Sequence, residues 1–146
     1  TGSVTWTIPG KLAAATDYVV QATAIGPKPA PSDLSGALAV TAPTLTVDED
    51  PLAGGVTIGQ TVPLEWATET GVAQSVTVSL VQGTKVVAKL DAKEVTANGA
   101  GTLAWLATAK LKPGTGFKIR VTDNANPAVT DESTEFAILP NPTTLP

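Results

Sequence analysis

The stretch Gly101-Thr-Leu-Ala-Trp105 has a counterpart near the start of the chain, Gly2-Ser-Val-Thr-Trp6, with the same order of small, apolar and aromatic residues. The offset of 99 residues holds further along the chain, where it matches Leu12 with Leu111, Tyr18 with Phe117, Val20 with Ile119 and Thr23 with Thr122. Small residues often match by chance, but a tryptophan, a second aromatic residue and several apolar residues rarely match by chance in the same order. The stretch therefore marks an internal repeat.

The repeat continues after the loss of one residue. At an offset of 98, Asp33-Leu-Ser-Gly-Ala-Leu-Ala-Val40 falls on Asp131-Glu-Ser-Thr-Glu-Phe-Ala-Ile138. The joins are also alike, since Ala42-Pro-Thr-Leu-Thr46 resembles Asn141-Pro-Thr-Thr-Leu145. A period of this length is the size of an immunoglobulin-like sandwich.

The repeat predicts how the chain is organised. Residues 1–41 are expected to form the C-terminal half of one unit, with three strands, and residues 42–139 a complete unit. Residues 140–146 are expected to be a linker and the first strand of a following unit. The chain would then be cut out of phase with its own units, which also accounts for its lack of methionine. Because a half-unit exposes an apolar face, we expect its missing strands to come from the same longer polypeptide or from a neighbouring chain.

Alternation of period two predicts β-strands throughout the chain. In the stretch 61–66, for example, Val62, Leu64 and Trp66 share one face. Seven strands are predicted in the complete unit, at residues 44–47, 61–66, 75–81, 85–90, 101–107, 116–123 and 133–139. The predicted fold class is all-β, with tandem antiparallel sandwiches of the immunoglobulin or fibronectin-III type and about seven strands in each full unit.

Composition excludes several functional classes. Hydrophobic residues make up 42% of the 146 residues and charged residues 15%, which is too apolar for a disordered chain and too poor in charge for a helical bundle. The absence of cysteine and histidine excludes disulfides, thiol nucleophiles, Ser-His-Asp catalysis and histidine-bound zinc. A net charge of −4 without a basic stripe argues against nucleic acid, and no apolar run reaches the roughly 18–20 residues of a membrane span.

The complete unit resembles a known domain. The resemblance rests on Gly59-Gln-Thr-Val-Pro-Leu-Glu-Trp66, Gly101-Thr-Leu-Ala-Trp105, Leu111-Lys-Pro-Gly114 and Ser133-Thr-Glu-Phe-Ala-Ile138. It looks like the Ig-like domain of fungal Kre9/Knh1-type proteins and of Ser/Thr-rich GPI-anchored proteins, and bacterial and archaeal surface proteins carry similar repeats. The resemblance implies an extracellular setting and transfers no catalytic residue.

Six aromatic residues lie at inward positions of the predicted strands. Aromatic residues are only 4% of the chain, so each sandwich has few large anchors. We predict these side chains to be core anchors rather than ligand contacts: Trp6, Tyr18, Trp66, Trp105, Phe117 and Phe136.

Two oxygen-rich loops offer ligands of the kind that calcium prefers. Asp48 and Asp50 belong to one loop, and Asp123 and Asp131 to the other. The predicted strand order places the loops at opposite poles, and neither has the spacing of a known calcium loop. Solvated turns with Asx-type capping are the favoured interpretation, so no metal and no cofactor is predicted.

Other charged residues offer groups for catalysis or binding. A glycosidase needs a positioned pair of carboxylates, and nothing in the sequence pairs any two of Glu65, Glu69, Asp91, Glu94, Glu132 and Glu135. A modest basic cluster is expected to be a solvated face or, alternatively, a contact with acidic loops of another subunit: Lys110, Lys112, Lys118 and Arg120.

These observations favour a non-enzymatic structural repeat module of an extracellular surface protein or filament. Its expected partners are other copies of itself or adjacent repeats, assembled end to end, with strand sharing as one route. The alternative is a module that binds cell-wall polysaccharide or mediates adhesion.

Overall fold

The computed structural model describes residues 2–9, 12–26, 28–69, 72–97 and 99–144, with side chains at all of these except 92–95 and 144. The chain divides into two compact units, Thr1–Ala42 and Pro43–Pro146, called here the first and the second unit. In the described ranges, regular structure is β-strand apart from two 3-10 turns, Asp50–Leu52 and Pro142–Thr144. None of these residues belongs to a helix with the length and hydropathy of a membrane span.

Short strands make up the first unit and longer strands the second. The first unit has β1 (Ala15–Tyr18), β2 (Gln21–Thr23), β3 (Ser32–Leu34) and β4 (Leu38–Val40). The described part of the second unit has β5 (Leu45–Val47), β6 (Val56–Thr57), β7 (Thr61–Thr68), β8 (Ser75–Gln82), β9 (Lys85–Val95), β10 (Ala100–Leu106), β11 (Gly114–Asp123), β12 (Thr130–Glu132) and β13 (Phe136–Leu139).

The second unit is a sandwich of two sheets around one hydrophobic core. The smaller sheet has the strand order β10-β7-β5, and the larger has the order β6-β13-β11-β8-β9, with β12 pairing along β11. Strand pairs are antiparallel except for β6 with β13. This is the layered arrangement of Ig-like domains.

Alternation along the strands builds the core. In β7, Val62, Leu64 and Trp66 are buried, whereas Thr61 and Glu65 are exposed. Strand β11 alternates in the same way between buried and half-buried residues. Each large side chain removed from water contributes roughly 1.5–3 kcal/mol, so the two alternating strands supply much of the energy that holds the layers together.

Each of the seven strands predicted for the second unit coincides with an observed strand, but the described part of that unit has nine strands. The two additional strands are β6 and β12, with two and three residues. Such short segments show no measurable alternation, because a period of two needs at least four residues to appear. Their partners, β13 and β11, define them as strands.

The described residues of the first unit form two two-stranded sheets, β1-β4 and β2-β3. Their registers coincide with those of β11-β13 and β11-β12 when the offsets of 99 and 98 are applied. In β1-β4 the pairs are Ala15 with Val40 and Tyr18 with Leu38, and in β11-β13 they are Gly114 with Ile138 and Phe117 with Phe136. In β2-β3 the pairs are Gln21 with Leu34 and Thr23 with Ser32, and in β11-β12 they are Arg120 with Glu132 and Thr122 with Thr130.

Residues 2–9 differ from the expected strand, because they have no regular structure. Their apolar side chains are exposed: Val4 by 89%, Trp6 by 56% and Ile8 by 50%. The counterpart of this segment in the second unit is β10, which is a strand because it pairs with β7. The described part of the first unit holds no counterpart of β7, so the segment has no strand to pair with.

The end of the chain also differs from the prediction of a linker and a first strand within residues 140–146. Residues Pro142–Thr144 form a 3-10 turn, and residues 145 and 146 lie outside the described part. The turn is held by Asn141, whose Oδ1 accepts the Thr143 N–H at 2.9 Å and the Thr143 hydroxyl at 2.6 Å. An asparagine side chain that captures the backbone two residues ahead favours a turn over an unpaired strand.

Candidate functional site

Four aromatic side chains form the centre of the second unit. Trp66, Trp105, Phe117 and Phe136 are each at most 7% exposed. The rings of Trp105 and Phe136 meet edge to face, with centroids 6.3 Å apart and planes at 67°. Phe117 lies with its ring centroid 6.4 Å from that of Phe136. Because Trp105 belongs to the smaller sheet and both phenylalanines to the larger, this cluster joins the two layers.

Trp66 packs directly on the backbone of a neighbouring strand. It pairs with Gly101 in the register of β7 and β10, and a Cβ added to that glycine would overlap Cε2, Cζ2 and Nε1 of the indole. The indole N–H donates to Thr96 Oγ1 at 2.8 Å in a buried hydrogen bond. Close packing therefore requires glycine at position 101, and the sequence held a signal of it, since a glycine inside a strand often marks a close backbone approach.

The two aromatic residues of the first unit differ from the expectation of buried anchors. Trp6 is 56% exposed, and Tyr18 is half-buried, with its hydroxyl donating to the Ala13 carbonyl at 3.0 Å. Their counterparts Trp105 and Phe117 are buried because two sheets face each other there. In the first unit, the described strands form two-stranded sheets only, so no second layer of that unit covers Trp6.

Three of the four aspartates considered as calcium ligands accept hydrogen bonds from backbone N–H groups. Asp48 Oδ1 accepts from Asp50 at 3.1 Å, Asp123 Oδ1 from Ala125 at 2.9 Å, and Asp131 Oδ2 from Val47 at 2.9 Å. The first two are Asx-type turns. The third links β12 of the larger sheet to β5 of the smaller sheet, a role that the sequence did not reveal because the two residues are 84 positions apart.

Asp131 lies beside the strand that leads to Asp48, contrary to the expectation from sequence that the two acidic loops lie at opposite poles. Asp131 contacts Val47, which directly precedes Asp48, and the Thr134 N–H donates to Glu49 Oε1 at 2.9 Å. The predicted strand order lacked β12, the short strand that brings Asp131 next to β5. Among the described residues, no three His, Cys, Asp or Glu side chains are arranged to hold a metal ion.

The carboxylates weighed for acid–base catalysis are spread over different surfaces. Glu65 is exposed on the outer face of the smaller sheet, whereas Glu132 lies on the outer face of the larger sheet. Asp91 is half-buried on β9 and Glu135 is exposed just before β13, while the side chain of Glu94 lies outside the described part. The core therefore separates Glu65 from Glu132, and these two cannot flank one glycosidic bond.

Lys118, Arg120 and Glu132 form an ion-pair cluster on the outer face of the larger sheet. Glu132 Oε1 lies 2.6 Å from Arg120 Nη2, and Glu132 Oε2 lies 3.5 Å from Lys118 Nζ. Hydrogen bonding by the Arg120 guanidinium lowers the pKa of Glu132, and Lys118 acts in the same direction. Lys110 and Lys112, predicted as part of the same basic patch, are exposed in the β10–β11 connection. The paired charges are about a third exposed, so solvent screens them.

Glu69 binds Thr44, near the start of the second unit, through hydrogen bonds. Its carboxylate accepts the Thr44 N–H at 2.9 Å and the Thr44 hydroxyl at 2.7 Å, and the neighbouring Thr68 hydroxyl donates to the Thr44 carbonyl at 2.5 Å. The hydrogen bond from the Thr44 hydroxyl is the main cause that lowers the pKa of Glu69. Local sequence patterns do not predict this contact, because it joins residues 25 positions apart through the pairing of β5 with β7.

Comparison with known proteins is consistent with this architecture. Residues 52–138 match the family described as the Kre9/KNH-like N-terminal Ig-like domain, a range that includes Trp66, Trp105, Phe117 and Phe136. The chain has no match among curated proteins or among solved structures. The matching family is associated with cell-wall and secreted proteins. The chain belongs to the Kre9/KNH-like family of Ig-like domains.

Proposed function

We propose that the chain is a non-enzymatic structural module of an extracellular or cell-wall protein, built from Ig-like units in tandem. The observation that carries this proposal is the shared register of the two units. Strand pairs β1-β4 and β2-β3 repeat the pairing of β11 with β13 and β12. Two unrelated segments have no physical reason to reproduce the same partners and the same irregularity between them.

The side-chain hydrogen bonds of the two units are also alike. Ser133, which is buried, accepts the Ile119 N–H on its Oγ at 3.0 Å and donates to the Thr134 carbonyl at 2.9 Å. Ser35 does the same in the first unit, with Val20 at 2.9 Å and the Gly36 carbonyl at 2.8 Å. This correspondence supports reading residues 2–40 as the later part of a unit of the same kind.

The proposed role is mechanical. Antiparallel ladders, an aromatic cluster that joins both sheets, and the links from Asp131 to Val47 and from Glu69 to Thr44 hold the second unit together without a disulfide. The apolar face of the first unit requires a cover in the assembled protein. Strands of the same polypeptide or of a neighbouring subunit would supply it, and either route places the units end to end.

Single-molecule stretching of the chain between its termini tests the mechanical role. The second unit is expected to unfold in one cooperative event. About 100 residues released from it would span at most roughly 330–360 Å, so the chain would lengthen by that span less the distance between the ends of the folded unit. A chain that lengthens gradually, without a discrete unfolding event, would contradict a mechanical role for the module.

The second candidate function is binding of cell-wall polysaccharide, and the exposure of Trp6 favours it, because an exposed indole is a stacking surface for sugar rings. Co-sedimentation with insoluble β-glucan and with chitin separates the two functions. A structural module stays in the supernatant, and Trp6→Ala leaves this unchanged. A chain that sediments with the polysaccharide, and no longer does so as Trp6→Ala, would favour the binding function instead.

A further inference from the structure

We propose that residues 2–40 are the later half of an Ig-like unit whose earlier strands lie elsewhere in the same polypeptide. A strand pair with the pattern of β7 and β8 completes this unit and places an aromatic ring on Gly2. This inference rests on the proposed tandem arrangement and specifies the partner of the open face. The second unit serves as its template, since it shows what covers each corresponding residue.

The first step concerns the strand that pairs with residues 2–8. In the second unit, β10 is bounded on its inner side by β7, with Gly101 facing Trp66, Leu103 facing Leu64 and Trp105 facing Val62. The repeat places Gly2, Val4 and Trp6 at the positions of Gly101, Leu103 and Trp105. A strand of the β7 type would therefore give the segment its backbone partner and would turn it into a strand.

The second step concerns the apolar face. Strand β8 pairs with β11 and aligns Leu80 with Ile119, and Ile119 is fully buried. Its counterpart Val20 is 46% exposed. Leu38 is 41% exposed, whereas its counterpart Phe136 is 7% exposed. The first unit thus exposes those residues whose counterparts are covered in a complete unit. A strand of the β8 type beside β1 and β2 would extend their sheet, and the facing sheet that a strand of the β7 type completes would cover it, as the sheet of Trp105 covers Phe136.

The third step is the space above Gly2, which is an independent observation. At Gly101 an added Cβ would overlap the Trp66 indole, whereas at Gly2 an added Cβ would meet nothing within 4 Å. Neither glycine has a positive φ that would itself require glycine. Close approach of another group explains a glycine at such a position. At Gly2 that group is absent from the described residues, and the template identifies it as an indole or a similar flat ring.

The same pairing excludes a simpler occupant. Residues 143–145 resemble the start of β5 in sequence, and a second copy could donate them. Strand β5, however, pairs with β7 and makes no pair with β10. A donated strand of the β5 type would lie two strands away from residues 2–8 and would leave Trp6 uncovered. Completion of the first unit therefore needs one strand that corresponds to β7 and one that corresponds to β8.

The experiment joins residues 43–99 in front of residue 1 of the 146-residue chain. Residue 99 directly precedes Ala100, the counterpart of residue 1, so the added segment runs into the first unit as β9 runs into β10. Hydrogen–deuterium exchange, read by mass spectrometry on peptides from residues 3–9 and 18–24, reports on the first unit. We expect exchange of these peptides to slow at least about tenfold in the extended chain. Amide hydrogens bonded within a strand exchange only when the strand opens by local unfolding.

Two variants test the ring on Gly2. Gly2→Ala is expected to leave exchange unchanged in the chain of 146 residues and to restore fast exchange of residues 3–9 in the extended chain. Replacing Val62, Leu64 and Trp66 by Ser in the added copy alone is the control for a fortuitous effect of extra length, and it should also restore fast exchange. Peptides from residues 101–107 and 117–121 of the second unit, which the added segment does not contain, are measured in the same samples and verify that each protein is folded.

Exchange of residues 3–9 that is equally fast in the extended and the original chain, with the second unit protected, would overturn the proposal. A slow exchange that persists in Gly2→Ala would overturn the assignment of the ring to Gly2. Completion within one polypeptide would also be wrong if the original chain self-associates on concentration and thereby buries Trp6. Polysaccharide binding by the original chain would count against the proposed function and would leave these exchange results standing.

Discussion

Replacement of Gly101 by alanine is the most incisive test of how the second unit packs. The substitution adds one methyl group to β10, at the point where the Trp66 indole lies against the backbone. An added Cβ would be closer than 3.0 Å to three atoms of that ring. The ring is 3% exposed and lies between the two sheets, so it can yield only by changing its rotamer or by pushing the strands apart.

The loss of stability has two sources, overpacking of the core and loss of the indole hydrogen bond. Overpacking of a dense core costs about 1–3 kcal/mol. Displacement of the indole also breaks its hydrogen bond to Thr96, and an unpaired buried donor costs about 1–3 kcal/mol. We therefore expect Gly101→Ala to lower the free energy of unfolding of the second unit by about 3 kcal/mol. For a unit of this size, that corresponds to a fall in Tm of roughly 12–24 °C.

The sign of the effect is as informative as its size. At a position whose backbone suits any residue, Gly→Ala usually stabilises a protein by about 0.4–1 kcal/mol, because it restricts the unfolded chain. Gly101 has no positive φ, so only the contact with Trp66 makes alanine unfavourable there. Gly2→Ala is the matched control, since it makes the same chemical change at the corresponding repeat position with nothing within 4 Å.

Urea unfolding of the 146-residue chain, followed by far-UV circular dichroism and by tryptophan fluorescence, measures both variants. Gly101→Ala should shift the midpoint to lower urea with an unchanged slope, and Gly2→Ala should leave the midpoint within the error of the parent chain. The reasoning would be refuted if Gly101→Ala were as stable as the parent, or if both substitutions destabilised the chain equally.

Three further predictions concern polar contacts. Ser133→Ala should lower the free energy of unfolding by about 1–3 kcal/mol, because it leaves the buried Ile119 N–H unpaired, whereas Ser35→Ala in the exposed first unit should have little effect on the same urea curve. Arg120 lowers the pKa of Glu132 below its ordinary 4.5. The stabilisation by that pair is therefore present above about pH 4.5 and is lost as the pH falls through the folded-state pKa. Glu132→Gln should flatten the dependence of Tm on pH in this acidic range, and an unchanged dependence would contradict the pairing. Millimolar calcium should leave Tm unchanged by differential scanning calorimetry, since Asp131 already accepts the Val47 N–H, and a rise in Tm would indicate a calcium site.

Strand positions in the second unit could be predicted because they depend on neighbouring residues. Val62, Leu64 and Trp66 point to one side of any extended chain, whatever the rest of the protein does. The burial of Trp105, Phe117 and Phe136 follows from the same alternation. Burial of Trp6 did not follow, because it also requires an opposite layer, and no pattern within residues 2–9 can supply that layer.

Contacts between residues far apart in the chain could not be predicted from the alternation of apolar and polar residues. The acidic loops were assigned to opposite poles because β12, a strand of three residues, shows no alternation by which to recognise it. The pattern does not reveal that the Glu69 carboxylate binds Thr44. Both contacts escape prediction for the same reason, since the alignment of one strand against another is set by partners far away in the chain.

The sequence by itself determined the all-β class, the position of the long strands, the four aromatic anchors of the second unit and the correspondence between residues 2–40 and 101–138. These properties are local or repeated, so neighbouring residues encode them. Only the tertiary structure decided that Trp66 packs on Gly101, that Asp131 links the two sheets through Val47, and that the apolar face around Trp6 is open. Each of these depends on which strand lies beside which, and the free energy of pairing distant strands is a property of the whole fold.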